Sequence, residues 1–441
     1  MKASLLVRTL FIILTLLGIG LITGCEQIYE QMPYLRPVTN DGGAVVPPTP
    51  TAQLPQPDIN PTDLPASQEV STITLWLPPQ FDPQNGTPEG VLLEQQLTQF
   101  SADYPDITVD VRIKAVDGPG GLLETLTAAS EVAPAVLPGI ILLPRQDFDK
   151  AALTGLLMEV GNDELDASEY DWLPYADELT RIDGKRYGLP FTADVLTLAY
   201  KPAQSGAAPL TWQELIQKKA LTAFPAAEPS ALLPLLIYQS QGGGFTADET
   251  SLVLDPQALE AGFASIADAS AASVFPSWLT ELDTYGQSWQ ALLDSRSSYS
   301  LVWVSQYLEE QPEDISLIPL PAIGSTALTY ADGWILAFPQ TSPERYETFR
   351  ILAGYLVDPE FQSAWTQAAG LLPPSGAQLA SWMDSELSGI LLEITANAQP
   401  LPSSEVQDRL APLMREATID LLQGRVSFSE AADQIIRSLG K

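Results

Sequence analysis

Histidine is missing from all 441 positions, and cysteine occurs once, as Cys25. Without histidine the chain lacks the usual zinc ligand, the commonest general base and any Ser-His-Asp relay. With one cysteine, no disulfide can form within the chain. Cationic side chains are scarce too. Against 55 Asp and Glu stand 21 Lys and Arg, a net charge of −34 and a sequence pI near 4.1. So acidic a chain repels nucleic acid and anionic membrane surfaces, and no nucleic-acid partner is expected. The glycine-rich dinucleotide and phosphate loops, the nucleophile elbow and the EF-hand loop are all absent. The acidic run from Asn162 to Asp171 lacks the glycine that a calcium loop needs at its sixth position, and reads as a solvated loop. No cofactor and no metal are expected.

The first 25 residues carry Lys2 and Arg8 and then an apolar core from Leu10 to about Ile22. That core is short for a bilayer span and fits an export signal. It ends in Leu21-Ile22-Thr23-Gly24-Cys25, which resembles the bacterial lipobox. The resemblance implies a signal peptide over 1–25, lipidation of Cys25 and attachment to the membrane. An uncleaved anchor helix, or secretion with a free thiol, are the alternatives. From 26 to 71 the chain is rich in Pro, Thr and Gln and poor in large apolar residues. Such a segment cannot bury a core and favours extended polyproline II. Its roughly 45 residues reach on the order of 140 Å when fully extended, which suits a tether.

The remaining stretch exceeds one typical core and suggests two domains. Ser71–Pro78 alternates as a strand, and Pro88–Tyr104 has helical spacing. Ile107–Ile113 is a period-2 strand, Gly121–Val132 a helix, and Gly139–Leu143 a continuous apolar run of the kind covered on both faces. Asp147–Val160 is again helical. This β-α-β-α-β order predicts a parallel sheet. Val195–Tyr200 should be a strand with Asp194 at its entrance, where a carboxylate needs partners. Beyond Lys201 the spacing predicts helices capped by Thr211 and by Asp255 with Pro256, and strands at Tyr299–Ser305, Ile315–Ile323 and Leu328–Phe338. A helix begun by Ser342-Pro343 carries an apolar stripe of Tyr346, Phe349, Ala353 and Leu356 and stops before Pro359. From Asp384 to Gly440 the chain is mostly helical.

Several segments, taken in order, resemble the bacterial extracellular solute-binding proteins of the sugar-binding group, the family that includes maltose-binding protein. They are "PGIILLPRQDFDKAALTGLLMEV", "DGKRYGLPFTADVLTLAYK", "PLTWQEL", "EPSALLP", "GWILAFPQTSPERYETFRILAGYLVDPEFQSAW" and "LLQGRVSFSEAADQI". The resemblance covers about 70–441. It implies an α/β, two-lobed periplasmic-binding-protein-like fold of type II, with hinge crossovers between the lobes and a ligand in the cleft. The lobes are expected at 72–193 with 321–365, and at 194–320 with 366–441.

By the same resemblance, Asp194 accepts hydrogen bonds from ligand hydroxyls at the lobe junction. A hinge carboxylate capping backbone amides is the alternative. Glu228 matches a sugar-contacting Glu-Pro pair, and otherwise reads as an acid at a helix N-terminus. Gln146 and Asp147 follow an apolar strand where the family places polar contacts. Trp303 and Trp334 fall near cleft positions and are expected to stack on sugar, with core packing as the alternative. Leu143, Ser230 and Ala411 stand where the maltodextrin binder carries aromatics, which argues against maltodextrin itself. The implied function is delivery of a carbohydrate to an ABC importer's permease subunits. A non-sugar solute, a ligand-sensing surface lipoprotein and a two-carboxylate glycosidase are the competing readings.

Overall fold

Two parallel pairings build one side of the sheet. Strand β1 (Ser71–Leu77) lies between β2 (Ile107–Ile113) and β3 (Ile140–Pro144) and runs parallel to both. The helix Pro88–Asp103 connects β1 to β2, and the helix Leu122–Val132 connects β2 to β3. The first of these starts where Thr87 accepts the Gly90 amide at 3.2 Å and Pro88 presets the backbone angle of the opening turn. Its Leu93, Leu97 and Phe100 are buried against the sheet. The parallel order expected from the sequence is present. The computed structural model describes residues 71–161, 170–206, 208–209, 211–247, 252–324, 327–340 and 345–439. The leader, Cys25, the tether, most of the acidic run and the Ser342-Pro343 helix start lie outside the described residues.

The hairpin β4 (Arg181–Ile182) and β5 (Lys185–Arg186) leads into β6 (Gly188–Tyr200), which is seven residues longer at its start than the alternating run from Val195 suggests. Two residues explain the difference. Pro190 is tolerated because the ladder is bulged there, between Trp334 and Ile335 of the partner strand. Gly188 lies so close to that strand that a Cβ would meet the Leu336 carbonyl oxygen at 2.5 Å. Asp194 therefore sits inside a strand rather than at its mouth. The helix expected over Asp147–Val160 is also different. It runs Arg145–Leu153, and the chain turns away at Gly155, whose φ of +74° a side chain would disfavour.

Short strands β7 (Thr222–Ala223), β8 (Thr246–Ala247) and β9 (Leu252–Val253) precede β10 (Tyr299–Trp303), β11 (Ser316–Ile318), β12 (Thr329–Ala337) and β13 (Ala398–Pro400). Among the described residues nine strands form one sheet, whose main path is β2-β1-β3-β12-β6-β10-β7. β6 joins its two halves. From Gly188 to Val195 it pairs with β12, and from Leu196 to Tyr200 with β10. On the first side a core forms around Ile73, Leu75, Phe100, Leu142, Phe349 and Trp365. On the second a larger core gathers Leu196, Leu198, Leu235, Phe263, Phe275 and Leu410. A third cluster lies at the join, where Ala193, Val195 and Ala331 pack with Tyr175, Leu372 and Trp382. Thr211 and Asp255 cap their helices as expected. No helix among the described residues is long and apolar enough to cross a membrane.

Candidate functional site

Strand alternation divides the join into two faces. Ala193, Val195 and Ala331 face the third core, so Thr192, Asp194, Asp332 and Trp334 point the other way. Asp194 and Asp332 are direct cross-strand partners. Both are half-buried. Asp194 Oδ1 accepts the amides of Val195 at 2.9 Å and Ser305 at 3.1 Å. Ser305 is in the first turn of the helix Val304–Glu310, so the positive end of that helix faces the carboxylate. Burial nevertheless pushes the Asp194 carboxyl up to about 7. Hydrogen bonds from Ser305 and Val195 work against that rise, and the charge of Asp332 adds to it. Asp332 accepts the Gly333 amide at 2.8 Å and is also raised by burial, which Arg145 partly offsets. Asp194 thus does cap backbone amides, the alternative that the sequence left open for it.

Arg145 is the cation of this region and is 7% exposed. Its Nε lies 2.6 Å from Asp149 Oδ1, one helical turn on. Its Nη1 donates to the carbonyls of Glu178 and Leu179. Burial pushes Asp149 up to about 6 despite the guanidinium. Gln146 is exposed, and its Nε2 donates to Gln407 Oε1 at 3.3 Å, reaching the helix Ser404–Leu422. Asp147 is half-buried and raised by that burial, with Lys150 lowering it and Asp117 raising it.

The second half of the sheet carries the remaining candidates. Glu228 lies in a turn upstream of the helix Leu232–Ser240, not in its first turn. Its Oε1 accepts the Ser230 amide at 3.0 Å, while its Oε2 is buried without a hydrogen-bond partner. Trp303 ends β10 and is half-buried at the margin of the larger core. Tyr285 meets it edge to face, with ring centroids 5.9 Å apart. The Glu228 charge helps to raise the Tyr285 phenol, whose main cause of shift is burial. Tyr330 donates to Gln239 Oε1, which also accepts from Gln399 Nε2 at 3.1 Å. Trp334 is half-buried and packs edge to face on Phe81 at 5.0 Å, in the aromatic group with Phe191 and Trp365.

The six sequence candidates thus fall into three groups. Asp194 and Trp334 share one strand face, Glu228 and Trp303 share the second core's margin through Tyr285, and Gln146 with Asp147 opens the helix Arg145–Leu153. Sequence reasoning passed over Asp332, Arg145 and Tyr285. An acid before "GW" inside an apolar strand was the available signal for Asp332. Leu143 and Ala411 are buried in cores and offer no ring to a ligand. Chemically, the arrangement presents carboxylate and amide acceptors beside flat aromatic faces, which suits a ligand rich in N–H or O–H donors.

A search of curated proteins returned no match. Solved structures match across most of the chain. The sugar-binding protein MalE from Xanthomonas citri superposes with a TM-score of 0.69 at 18% identity, over 84% of this chain and 96% of that one. The cyclic alpha-maltosyl-1,6-maltose binding protein from Arthrobacter globiformis gives 0.67 at 16% identity, over 83% and 97%. Maltose-bound MalE3 from T. maritima gives 0.61 at 19%, over 84% and 99%. At these identities the likeness concerns the fold, which is the two-lobed α/β architecture. The family model for bacterial extracellular solute-binding proteins matches residues 95–383, which takes in β3, β6, β10, β12 and all six candidate residues. The chain therefore belongs to the family of bacterial extracellular solute-binding proteins.

Proposed function

We propose that this chain is a lipid-anchored binding protein that captures a sugar or oligosaccharide between two lobes and presents it to an ABC importer. The observation that carries this reading is the Trp303–Tyr285 aromatic pair beside Glu228, whose Oε2 is buried with no partner. An unmet buried carboxylate oxygen is costly, and a ligand hydroxyl would satisfy it while the sugar ring lies on an aromatic face. Proteins of the same fold are described as binding maltose, a cyclic maltosyl-maltose and acarbose, which supports a carbohydrate over other solutes. The lobes are taken as 72–193 with 321–365, and 194–320 with 366–441. β6 then carries one crossover at Ala193-Asp194, a second falls near Leu320-Pro321 ahead of β12, and a ligand touching both lobes closes the cleft by binding the closed state better than the open one.

The acids of the cleft act here as hydrogen-bond acceptors, not as a catalytic pair. Incubation with candidate glycans is expected to yield no cleavage product, and product formation would overturn this. Calorimetry with a panel of mono- and oligosaccharides tests the main reading. A sugar that binds and also reduces the radius of gyration in solution scattering supports it. Binding confined to non-sugar solutes would overturn it. Anchoring rests on the lipobox at the only cysteine. Cys25→Ser is expected to release the protein from membranes, and unchanged membrane fractionation would count against lipidation.

A further inference from the structure

We propose that the solute held in this cleft bears a positively charged amino group, seated between Asp194 and Asp332. The inference rests on the carbohydrate reading above and narrows it to amino-bearing sugars. Its first support is geometric. The two carboxylates are direct cross-strand partners on one face of the join, and both are half-buried. Like charges placed opposite each other in a ladder destabilise it. Their hydrogen bonds run to amides of Val195, Ser305 and Gly333, and no ammonium or guanidinium among the described residues bonds to either. Arg145, the buried cation nearby, is already committed to Asp149 and to two carbonyls.

Arg145 offsets Asp332 only in part, and no cation among the described residues bonds to Asp194. Lys150 is exposed and acts on Asp147 and Asp149, and Lys114 sits over the Trp76 ring at 4.6 Å. The second support is a buried hydroxyl without a hydrogen-bond partner. Thr192 Oγ1, in a residue 1% exposed, follows the same strand face one pleat from Asp194. An ammonium group has three donors and one positive charge. It would offset the negative charge of the pair and offer N–H donors to the carboxylates and to Thr192 Oγ1, whereas a neutral hydroxyl supplies a donor and no positive charge. Burial holds the two carboxyls above their ordinary range.

The test is calorimetry on the full-length protein with two trisaccharides that differ only at nitrogen, N-acetylated chitotriose and its deacetylated form, with maltotriose and putrescine alongside. The deacetylated sugar is expected to bind about tenfold or more tighter than the acetylated one near neutral pH. Asp332→Asn should collapse that ratio to about one, with circular dichroism confirming the fold. Raising the wild-type protein to about pH 9, where the sugar amine is neutral, should collapse it too, so the inference does not depend on the variant folding. Equal affinity for the two chitotrioses would overturn the inference and spare the carbohydrate reading. Binding of putrescine with neither trisaccharide would overturn the carbohydrate reading and support the cationic seat. Failure of all four probes would overturn the inference and leave the carbohydrate reading to the wider sugar panel.

Discussion

Gln146 and Gln407 are 261 residues apart and share a hydrogen bond, Nε2 to Oε1 at 3.3 Å. The first sits at the start of a helix on the β3 side, the second on the long helix packed into the opposite core. Gln407 is itself buried and held by its own bond to the Pro402 carbonyl at 2.6 Å. The contact therefore joins the two sides of the molecule without a ligand. Gln146→Ala should leave the Gln407–Pro402 bond in place, remove the amide–amide bond worth about 0.5–1.5 kcal/mol, and shift the unliganded protein toward an open form. Small-angle scattering should then report a larger radius of gyration before ligand is added. An unchanged value would mean that the amide pair has no part in setting the cleft.

Arg145 should matter most for stability. Replacing it with Leu strands Asp149, and it strips Asp332 of the charge that offsets its burial. Breaking a buried pair from one side typically costs about 3–5 kcal/mol. The cost should shrink on acidification through about pH 6, because Asp149 then takes up a proton and no longer needs its partner. Urea unfolding of both proteins at mildly acid and mildly alkaline pH checks this. A loss equal at both would remove Asp149 from the account.

Asp194 gives a pH dependence of opposite sense to a salt-bridged acid. Its folded carboxyl titrates near 7, above the ordinary carboxylate value. The folded chain therefore holds the proton more tightly than the unfolded one. Stability is highest at low pH within this window, falls as pH rises from about 4 toward 7, and is level above it. Asp194→Asn keeps an oxygen for the Val195 and Ser305 amides and removes the charge. We expect it to stabilise the protein by on the order of 1–2 kcal/mol at pH near 8 and to flatten the slope. Thermal melts across that range decide, and a variant less stable at alkaline pH would contradict the assignment.

The aromatic pair separates stacking from hydrogen bonding. Trp303→Ala should weaken sugar binding by about 1–3 kcal/mol through lost ring contact and burial. Tyr285→Phe keeps the edge-to-face contact and loses only a hydroxyl, so about 0.5–1.5 kcal/mol is expected. Calorimetry with the sugar identified by the panel gives both numbers. Equal affinity in Trp303→Ala would return that residue to a packing role.

Much of the fold was legible because its elements carry local signals. β1, β2 and β3 announce themselves by alternation or by continuous apolar runs, and Thr211 and Asp255 mark helix starts by their chemistry. The misread elements fail for reasons that are not local. Pro190 argues against a strand until the bulge opposite it is known, and Gly155 ends a helix that the apolar spacing would carry to Val160. Residues such as Gln146 gave a polar position after a strand and nothing about its partner, since Gln407 lies in a segment that no pattern connects to it.

The sequence alone determined the periodicities, the helix caps, the acidity, the lack of histidine and the order of segments that the family shares, because each depends on neighbours along the chain. Only the tertiary structure decided that Asp194 faces Asp332, that Arg145 is spent on Asp149 and that Tyr285 stands beside Trp303 and Glu228. Those pairings arise from strand register and from helices packed across the join. Register depends on which hydrophobic faces bury together, a property of the whole sheet that no single stretch of residues carries.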